Sequence, residues 1–177
     1  MTTARWIAIA VAAGIFTAAD TSGIQVTTVA RDGRVHVTCA LSGGLAADMD
    51  QALRSGLMTT FTYDVELRRS VSVWFDRPIA SAAVIASAQL DTLTGRFQVS
   101  RSVDGRIEDS HVSADRADVA KFMTTFDRLP LFSTGELEPN VEYVVRVRLH
   151  TRPRVNWFFW PFSRSDAAGF ARFALIP

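Results

Sequence analysis

The residues best suited to recognition chemistry form an arginine series near the C-terminal end of the chain. Arg146, Arg148 and Arg152 project from the same side of one predicted strand, on which alternate residues are about 6.5–7 Å apart, and Arg154 follows Pro153. Guanidinium groups placed in this way can bind phosphates, sulfates or acidic protein surfaces through paired hydrogen bonds. The alternative is a solvated strand face whose arginines pair with carboxylates on a neighbouring strand. Both interpretations remain open from the sequence.

Four consecutive aromatic residues follow this strand. They are Trp157, Phe158, Phe159 and Trp160. Alternate residues of a strand face opposite ways, so a strand could not bury all four on one side. We therefore predict a loop with accessible aromatic surface, suited to a protein partner or to the water–lipid interface. The alternative is a hydrophobic flap folded over an open end of the sheet.

Trp74 and Phe75 form a smaller copy of this aromatic loop and are followed by Arg77. Each loop directly follows a long alternating strand, predicted at 58–68 and 141–152. If these two strands run the same way, both aromatic loops lie at one end of the sheet, and this arrangement is our hypothesis.

No catalytic or metal-binding motif stands out in the chain. The sequence lacks a G-x-S-x-G nucleophile elbow, a phosphate-binding glycine loop and an H-E-x-x-H zinc motif. His36, His111 and His150 lie on three separate predicted strands among polar neighbours, which favours solvated histidines over a metal site. Asp64 and Glu66 share a strand face, but exposed alternating acids are far commoner than a catalytic carboxylate pair. We therefore predict no catalytic residues, no metal and no cofactor.

The N-terminal segment has the pattern of a secretory signal. Arg5 precedes an uncharged apolar run at 6–16, and small residues at 17–19 suit cleavage after Ala19. The run is shorter than the roughly 20 apolar residues that span a membrane. We predict a signal peptide over residues 1–19 and export to the periplasm or cell envelope. An uncleaved N-terminal anchor and a buried helix are the alternatives.

Charge and cysteine content narrow the function classes. The chain has 19 basic and 18 acidic residues, a net charge of +1, which argues against a general nucleic-acid binder. The bases concentrate after Tyr143, so a locally positive surface is expected there. Cys39 is the single cysteine, so it cannot form an internal disulfide. It shares a strand face with Val35 and Val37, which predicts a buried thiol rather than a reactive one.

The hydrophobic pattern predicts about eight short strands. Apolar and polar residues alternate most clearly at 58–68 and 141–152. An Asp-Gly pair at 32–33 between two Val- and Thr-rich runs predicts a β-hairpin. The Ala- and Ser-rich segment 79–90 is assigned as a strand because it lies between two turns. The segment 129–132 is assigned as an apolar loop.

Helical spacing predicts two short amphipathic helices. The first covers 45–54, and the second runs from an N-cap at Ser113 to an apolar stripe that ends at Phe126. We predict a single, mainly β (α+β) domain over 20–177. Its architecture would be an antiparallel β-sandwich or a twisted sheet, with the helices covering one face or the open ends.

Several local patterns occur together in this chain. They are Gly56, Leu57 and Phe61 at a strand opening, the Trp74–Phe75 loop, LDTLTGRFQVSR at 90–101, LPLF at 129–132 and EYVVRVRLHTRPR at 142–154. With its N-terminal segment, the chain resembles, from about Val35 onward, a family of bacterial proteins described only as a domain of unknown function, family four-three-nine-zero. The resemblance implies an exported bacterial protein. It carries no assigned activity and no functional residues to transfer.

These observations favour an exported envelope domain that acts by binding rather than by catalysis. Its arginine and aromatic face would contact an envelope protein or an anionic membrane surface, with no nucleic acid involved. The alternatives are an enzyme with a site assembled from dispersed polar residues, and a structural subunit of an envelope assembly. A deep pocket lined by convergent polar groups would favour the enzyme. An exposed apolar patch of more than a few hundred Å² would favour binding.

Overall fold

Strands dominate the structure of this chain. The structure is a computed structural model, and it describes residues 23–43, 45, 47–70, 77–153 and 167–175. These residues form nine strands and two helices. In chain order they are β1 (Ile24–Arg31), β2 (Arg34–Leu41), α1 (Ala47–Arg54), β3 (Thr59–Arg69), β4 (Arg77–Asp91), β5 (Arg96–Val103), β6 (Arg106–Ser113), α2 (Arg116–Thr124), β7 (Thr125–Ser133), β8 (Glu142–Pro153) and β9 (Ala167–Ala174). The mainly β fold class with two short helices is confirmed, with one strand more than predicted.

The strands form two antiparallel sheets. The smaller sheet contains three strands in the order β1, β2, β7, and the larger contains six in the order β6, β5, β4, β3, β8, β9. Every pair of neighbouring strands is antiparallel. Within the larger sheet, β3 lies between β4, its neighbour in the sequence, and the distant strand β8. This is the sandwich-like arrangement that the pattern of strands predicts.

The first two strands form the predicted hairpin. Asp32 and Gly33 both have left-handed backbone angles, with φ of 52° and 74°. Two consecutive left-handed residues are what a type I′ turn requires, and its twist matches that of the flanking strands. The register runs without interruption from Ile24 opposite Leu41 to the turn.

The hydrophobic core lies between the two sheets. Alternation along β3 sends one set of side chains inward, and these are almost fully buried: Phe61, Tyr63, Val65 and Leu67. The three-stranded sheet contributes Val35, Val37 and Cys39, which are completely buried. The rings of Tyr63 and Phe126 meet edge to face with their centroids 5.4 Å apart, which ties β3 to β7 across the core.

The two helices extend the cover over the inner face of the larger sheet. Met49 and Leu53 of α1 and Phe122 and Met123 of α2 belong to the same core as the two sheets. The helix α2 contacts both sheets, touching β4, β5 and β6 of the larger and β2 and β7 of the smaller. Neither described helix is long and apolar enough to cross a membrane.

The N-cap of α2 is Asp115, and the prediction of Ser113 was wrong. The Asp115 side chain accepts a hydrogen bond from the backbone N–H of Ala117 at 2.8 Å. A carboxylate at this position satisfies one of the unpaired N–H groups of the first turn and interacts favourably with the helix dipole. The Ser113 hydroxyl instead accepts from the Asp115 backbone N–H at 3.1 Å, so it braces the turn that leads to the cap.

Strand β7 replaces two predicted features, the end of the second helix and the apolar loop at 129–132. It pairs with β2, and Phe126 lies opposite Cys39 in that ladder. Phe126 is therefore a strand residue of the core, not the last member of a helical stripe. Pro130 and the left-handed Arg128 (φ 46°) interrupt the alternation that would have marked this strand in the sequence. Pro130 is tolerated because β7 is an edge strand.

Strands β1 and β9 approach each other at a glycine. A Cβ atom placed on Gly169 would overlap the Ile24 carbonyl oxygen and would lie 3.0 Å from the Val26 side chain. Only glycine leaves room for the two strands at this separation. The edge of the smaller sheet therefore lies directly against the edge of the larger one.

Candidate functional surface

The arginine series lies on the outer face of the six-stranded sheet, which is the face whose side chains alternate with the buried ones. On β3 and β8 these outward side chains include Thr60, Thr62, Asp64, Glu66, Arg146, Arg148 and His150. The pairing register sets Asp64 opposite Arg148 and Glu66 opposite Arg146. The described helices and the three-stranded sheet pack on the inner face, so none of these elements covers the outer face.

Two basic side chains of β8 have carboxylate neighbours on β3. The Arg148 Nη1 atom lies 3.8 Å from Glu66 Oε1, and the His150 Nε2 atom lies 3.0 Å from Asp64 Oδ2. On the adjoining strand β9, Arg172 Nη1 lies 3.6 Å from Glu142 Oε1. These three pairs follow the cross-strand pattern of the solvated-face interpretation. Because their side chains are 29–57% exposed, each pair contributes little to stability.

Arg146 differs from its neighbours in the series. It is half-buried and lies between Glu66 on β3 and Phe170 on β9. Among the described residues it makes no ion pair, because Glu66 directs its two oxygens towards Arg148 and Arg68. Of the two arginines of the series whose side chains are described, Arg146 and Arg148, the guanidinium of Arg146 therefore has the greater capacity left for a ligand or partner.

Next to Arg146, two polar atoms are shielded from solvent but have no hydrogen-bond partner among the described residues. In the described part of the chain, Glu66 Oε2 and Arg68 Nε are buried and make no hydrogen bond, although they lie 3.7 Å apart. A buried charged group without a hydrogen bond costs free energy in the isolated protein. A group bound on this face could supply the missing bonds.

The outer face also contains an open depression over β4, β5 and β6, with a volume of about 360 Å³. The residues that line it are Met58, Ser87, Ala88, Gln89, Gln98, Val99, Ser100, Ser110, His111 and Val112. The hydroxyl oxygens of Ser87 and Ser100 are hydrogen-bonded at 2.8 Å, and Gln89 Nε2 donates to the Gly56 carbonyl at 3.3 Å. No carboxylate, lysine or arginine lines the depression in the described residues. His111 is the titratable residue of this lining, and its ring already has Asp118 as a hydrogen-bond partner. A single histidine without a second acid or base in the lining favours the binding of neutral polar groups over acid–base catalysis.

The three histidines lie on three different strands, β2, β6 and β8. His111 and His150 are four strand positions apart in the larger sheet, about 19 Å at the usual strand spacing. His111 has its own partner, Asp118, at 3.1 Å, and its ring meets Phe122 edge to face with centroids 5.1 Å apart. The described residues contain no cluster of three or more potential metal ligands.

Most of the aromatic site residues predicted from the sequence lie outside the described residues. These are Trp74, Phe75, Trp157, Phe158, Phe159 and Trp160, together with Arg154. Arg152 lies in β8 with its backbone opposite Thr60, and its side chain is also outside the described part. The structure therefore brings Arg146 and Arg148 together on one face and leaves the placement of the aromatic residues as a prediction.

The premise of the hypothesis that both aromatic loops lie at one end of the sheet is wrong, while the loops themselves lie outside the described residues. The hypothesis required β3 and β8 to run the same way, but these strands are antiparallel neighbours. Arg69 at the end of β3 lies opposite Tyr143 near the start of β8, and Thr59 lies opposite Pro153 at the end of β8. The chain therefore enters the two loop segments from opposite ends of the sheet.

Arg101 is a buried arginine that the sequence analysis missed. It is 8% exposed, points into the core from β5, and donates through Nη2 to the Phe122 carbonyl and, at 2.7 Å, to the Thr125 carbonyl. Its guanidinium carbon also lies 4.2 Å from the centroid of the Phe122 ring. Arg101 thus caps the C-terminal end of α2, where the helix dipole favours a cation. Burial lowers the pKa of Arg101, and the nearby Asp109 opposes that shift.

Two further titratable groups are buried beside Arg101 and serve the core. Burial raises the pKa of the Cys39 thiol to about 12, so the nucleophilic thiolate is scarce at neutral pH. The predicted burial of the thiol is confirmed. Tyr63 has a raised pKa for the same reason, and its hydroxyl donates to the Met123 carbonyl at 2.7 Å.

Comparison with known proteins identifies the family and nothing more specific. A family model described as Domain of unknown function (DUF4390) matches residues 18–153. The match covers more than half of the chain, so the chain belongs to this family, in agreement with the resemblance seen in the sequence. No curated protein and no solved structure matches the chain significantly.

Proposed function

We propose that this member of the DUF4390 family is an exported, non-catalytic domain that binds an envelope protein through the outer face of its six-stranded sheet. One observation carries the proposal. The described helices and the smaller sheet all pack on the inner face, while the outer face presents ordered charged and polar side chains. A large polar face of this kind suits the recognition of a partner surface.

The distribution of reactive groups favours binding over catalysis. Cys39 is fully buried with a raised pKa, and the histidines lie on separate strands. Among the described residues, the depression over β4 to β6 is lined by three serines, two glutamines, four apolar residues and His111, with no carboxylate, lysine or arginine. A hydrolytic or proton-transfer site needs groups with suitable pKa values within hydrogen-bond reach of one another.

The charge pattern favours a protein partner over an anionic membrane. Arg148, His150 and Arg172 each lie beside a carboxylate of the same face. Attraction to an anionic membrane needs several uncompensated basic residues near its surface. A face of alternating charges instead suits a partner protein whose own charges are arranged to complement it.

Charge reversal combined with crosslinking tests this proposal. The full chain is expressed with a photo-crosslinking amino acid at Thr62, alone or with Arg146→Glu and Arg148→Glu. The matched control carries Arg31→Glu and Arg128→Glu, two arginines whose side chains are 76% exposed on the smaller sheet. We expect one major protein crosslink that falls at least about tenfold in the first variant and is unchanged in the control.

Two results would reject the protein-binding proposal. One is a crosslink that the outer-face variant leaves unchanged while circular dichroism shows both variants folded. The other is flotation of the chain with phosphatidylglycerol vesicles that the outer-face variant abolishes and the control does not, which would favour the membrane alternative. Alanine at Trp157 and Trp160 separates the interface and flap predictions, because loss of the crosslink at unchanged melting temperature supports the interface.

A further inference from the structure

Strand β6 is an exposed edge at one end of the six-stranded sheet. It pairs with β5 on one side, and no described strand pairs with its other side. Seven of its eight side chains are exposed, and the strand contains no proline. An exposed edge of this length offers a row of unpaired backbone N–H and C=O groups to another strand.

The other edges of the two described sheets are protected. Strand β7 contains Pro130 and pairs with β2 through two register shifts, which disfavour a further strand. Strands β1 and β9 lie against each other at Gly169 and Ile24. Among the edges that the structure describes, β6 alone has neither a proline nor another strand packed against it, although its pairing with β5 also contains one register shift. Such an edge is either an aggregation hazard or a pairing site.

A register shift in β6 brings two exposed apolar side chains onto the same face. Ile107 lies opposite Ser102 and Val112 lies opposite Gln98, with a shift between Arg101 and Ser102. Directly opposed residues of antiparallel strands point to the same face, and Ser102 and Gln98 both belong to the outer face. Ile107 and Val112 are five residues apart, so without the extra residue they would point to opposite faces.

These apolar side chains are unusually exposed for their position in a sheet. Ile107 is 68% exposed and Val112 is 57% exposed. They flank Ser110, which is also on the outer face because it lies opposite Ser100. The outer face of β6 therefore has a polar centre with an apolar side chain on either side.

We propose that two copies of this chain pair through β6, antiparallel about a two-fold axis at Ser110. This register keeps every opposed pair on one face, because Ser110 meets itself and Asp109 meets His111 of the second copy on the inner face. The register shift then sets Ile107 against Val112 of the second copy on the outer face, twice by symmetry. The strand is thus complementary to itself in its face pattern and in its apolar contacts, as a two-fold interface requires.

The register one residue away fails this test. Placing Asp109 opposite Ser110 of the second copy would oppose an inward side chain to an outward one. Centring the axis on Asp109 or on His111 would keep the faces, but it would oppose each of these residues to its own copy and separate Ile107 from Val112. The face pattern and these contacts together select the register centred on Ser110. In the resulting dimer the two larger sheets join edge to edge, and the depressions lined by Ser110 and Val112 meet along the seam.

Engineered cysteines test the register. Ser110→Cys is expressed in the full chain and oxidised in intact cells, where the buried Cys39 provides no competing thiol. We expect a disulfide-linked dimer, or rapid crosslinking with a short bismaleimide, because each introduced thiol would face its symmetry mate. The control is Leu93→Cys, at a position that is 97% exposed but lies in a turn away from the edge. Crosslinking at Ser110→Cys no faster than at Leu93→Cys overturns the proposed register.

The second experiment tests the interface itself. Chain purified from cells that express the full sequence is examined by analytical ultracentrifugation up to about 100 μM, well above the micromolar Kd of a weak specific interface. We expect a dimer whose Kd rises at least about tenfold in Ile107→Lys/Val112→Lys, since like charges then oppose each other at the seam. These exposed positions leave the monomer fold intact. A monomer at all concentrations, or a dimer that the double variant leaves unchanged, refutes the proposal.

Discussion

The two faces of the six-stranded sheet use arginine in opposite ways. On the inner face, Arg101 is 8% exposed and donates to two backbone carbonyls at the end of α2. On the outer face, Arg148 has a side chain 43% exposed and meets Glu66 at 3.8 Å, beyond hydrogen-bond distance. The inner arginine is committed to the fold, whereas the outer one remains available to a partner. Burial, and not residue type, separates the two roles.

The largest expected effect comes from removing the inner arginine. Arg101→Met keeps the length of the side chain but leaves the Phe122 and Thr125 carbonyls without their donor. Each unpaired buried acceptor is costly, while relief of the buried charge offsets part of the loss, so we expect destabilisation of about 2 kcal/mol. Urea unfolding followed by circular dichroism measures it.

The matched variant on the outer face is Arg148→Met. We expect it to change the unfolding free energy by less than about 0.5 kcal/mol, because exposed ion pairs contribute little. If the two variants destabilise the protein equally, the distinction between a structural and an available arginine fails.

A second prediction uses the buried thiol of Cys39. The unfolded chain loses this proton above the ordinary pKa of 9.0, whereas the folded chain keeps it up to a pKa of about 12. Ionisation therefore stabilises the unfolded state as pH rises from 9 towards 12, by about 1 kcal/mol between pH 9 and pH 10. Wild type should lose that much more stability over this interval than Cys39→Ala.

Comparison with Cys39→Ala isolates the thiol, because Tyr63 titrates in both proteins. Urea unfolding at pH 8, 9 and 10 gives the difference between the two stability curves. Parallel curves over this range would show that the thiol ionises as easily in the folded protein as in the unfolded one. Water would then reach the Cys39 side chain in the core.

Local alternation let the sequence predict the strands and their inward faces. The inward residues of β3 and the hairpin around Asp32 and Gly33 follow from patterns within a few residues. The same alternation in β5 places Arg101 on the face of Phe97 and Val99, and this signal would have identified the buried arginine. The prior expectation that arginine faces solvent concealed it.

Features that depend on distant pairing could not be predicted from local patterns. Strand β7 is held by β2, about 90 residues earlier, while Pro130 and Arg128 disturb its own alternation. The relative direction of β3 and β8 is likewise set by sheet order, and the premise of the hypothesis about the two aromatic loops was wrong for that reason. The outward position of Arg146 and Arg148 followed from alternation, but their carboxylate neighbours depended on which strand lies alongside.

The smallest expected effect concerns the Glu66–Arg148 pair, and it tests how open the outer face is. In a double-mutant cycle with Glu66→Gln and Arg148→Gln, we expect a coupling of about 0.3 kcal/mol in low salt, falling towards zero in 1 M salt. Stability is measured by urea unfolding at both salt concentrations. The Glu66 Oε2 and Arg68 Nε atoms are shielded from solvent, so the outer face is less solvent-exposed here than its other ion pairs suggest. A coupling above about 1 kcal/mol that resists salt would mean that the pair is desolvated, and the outer face would then resemble the inner one.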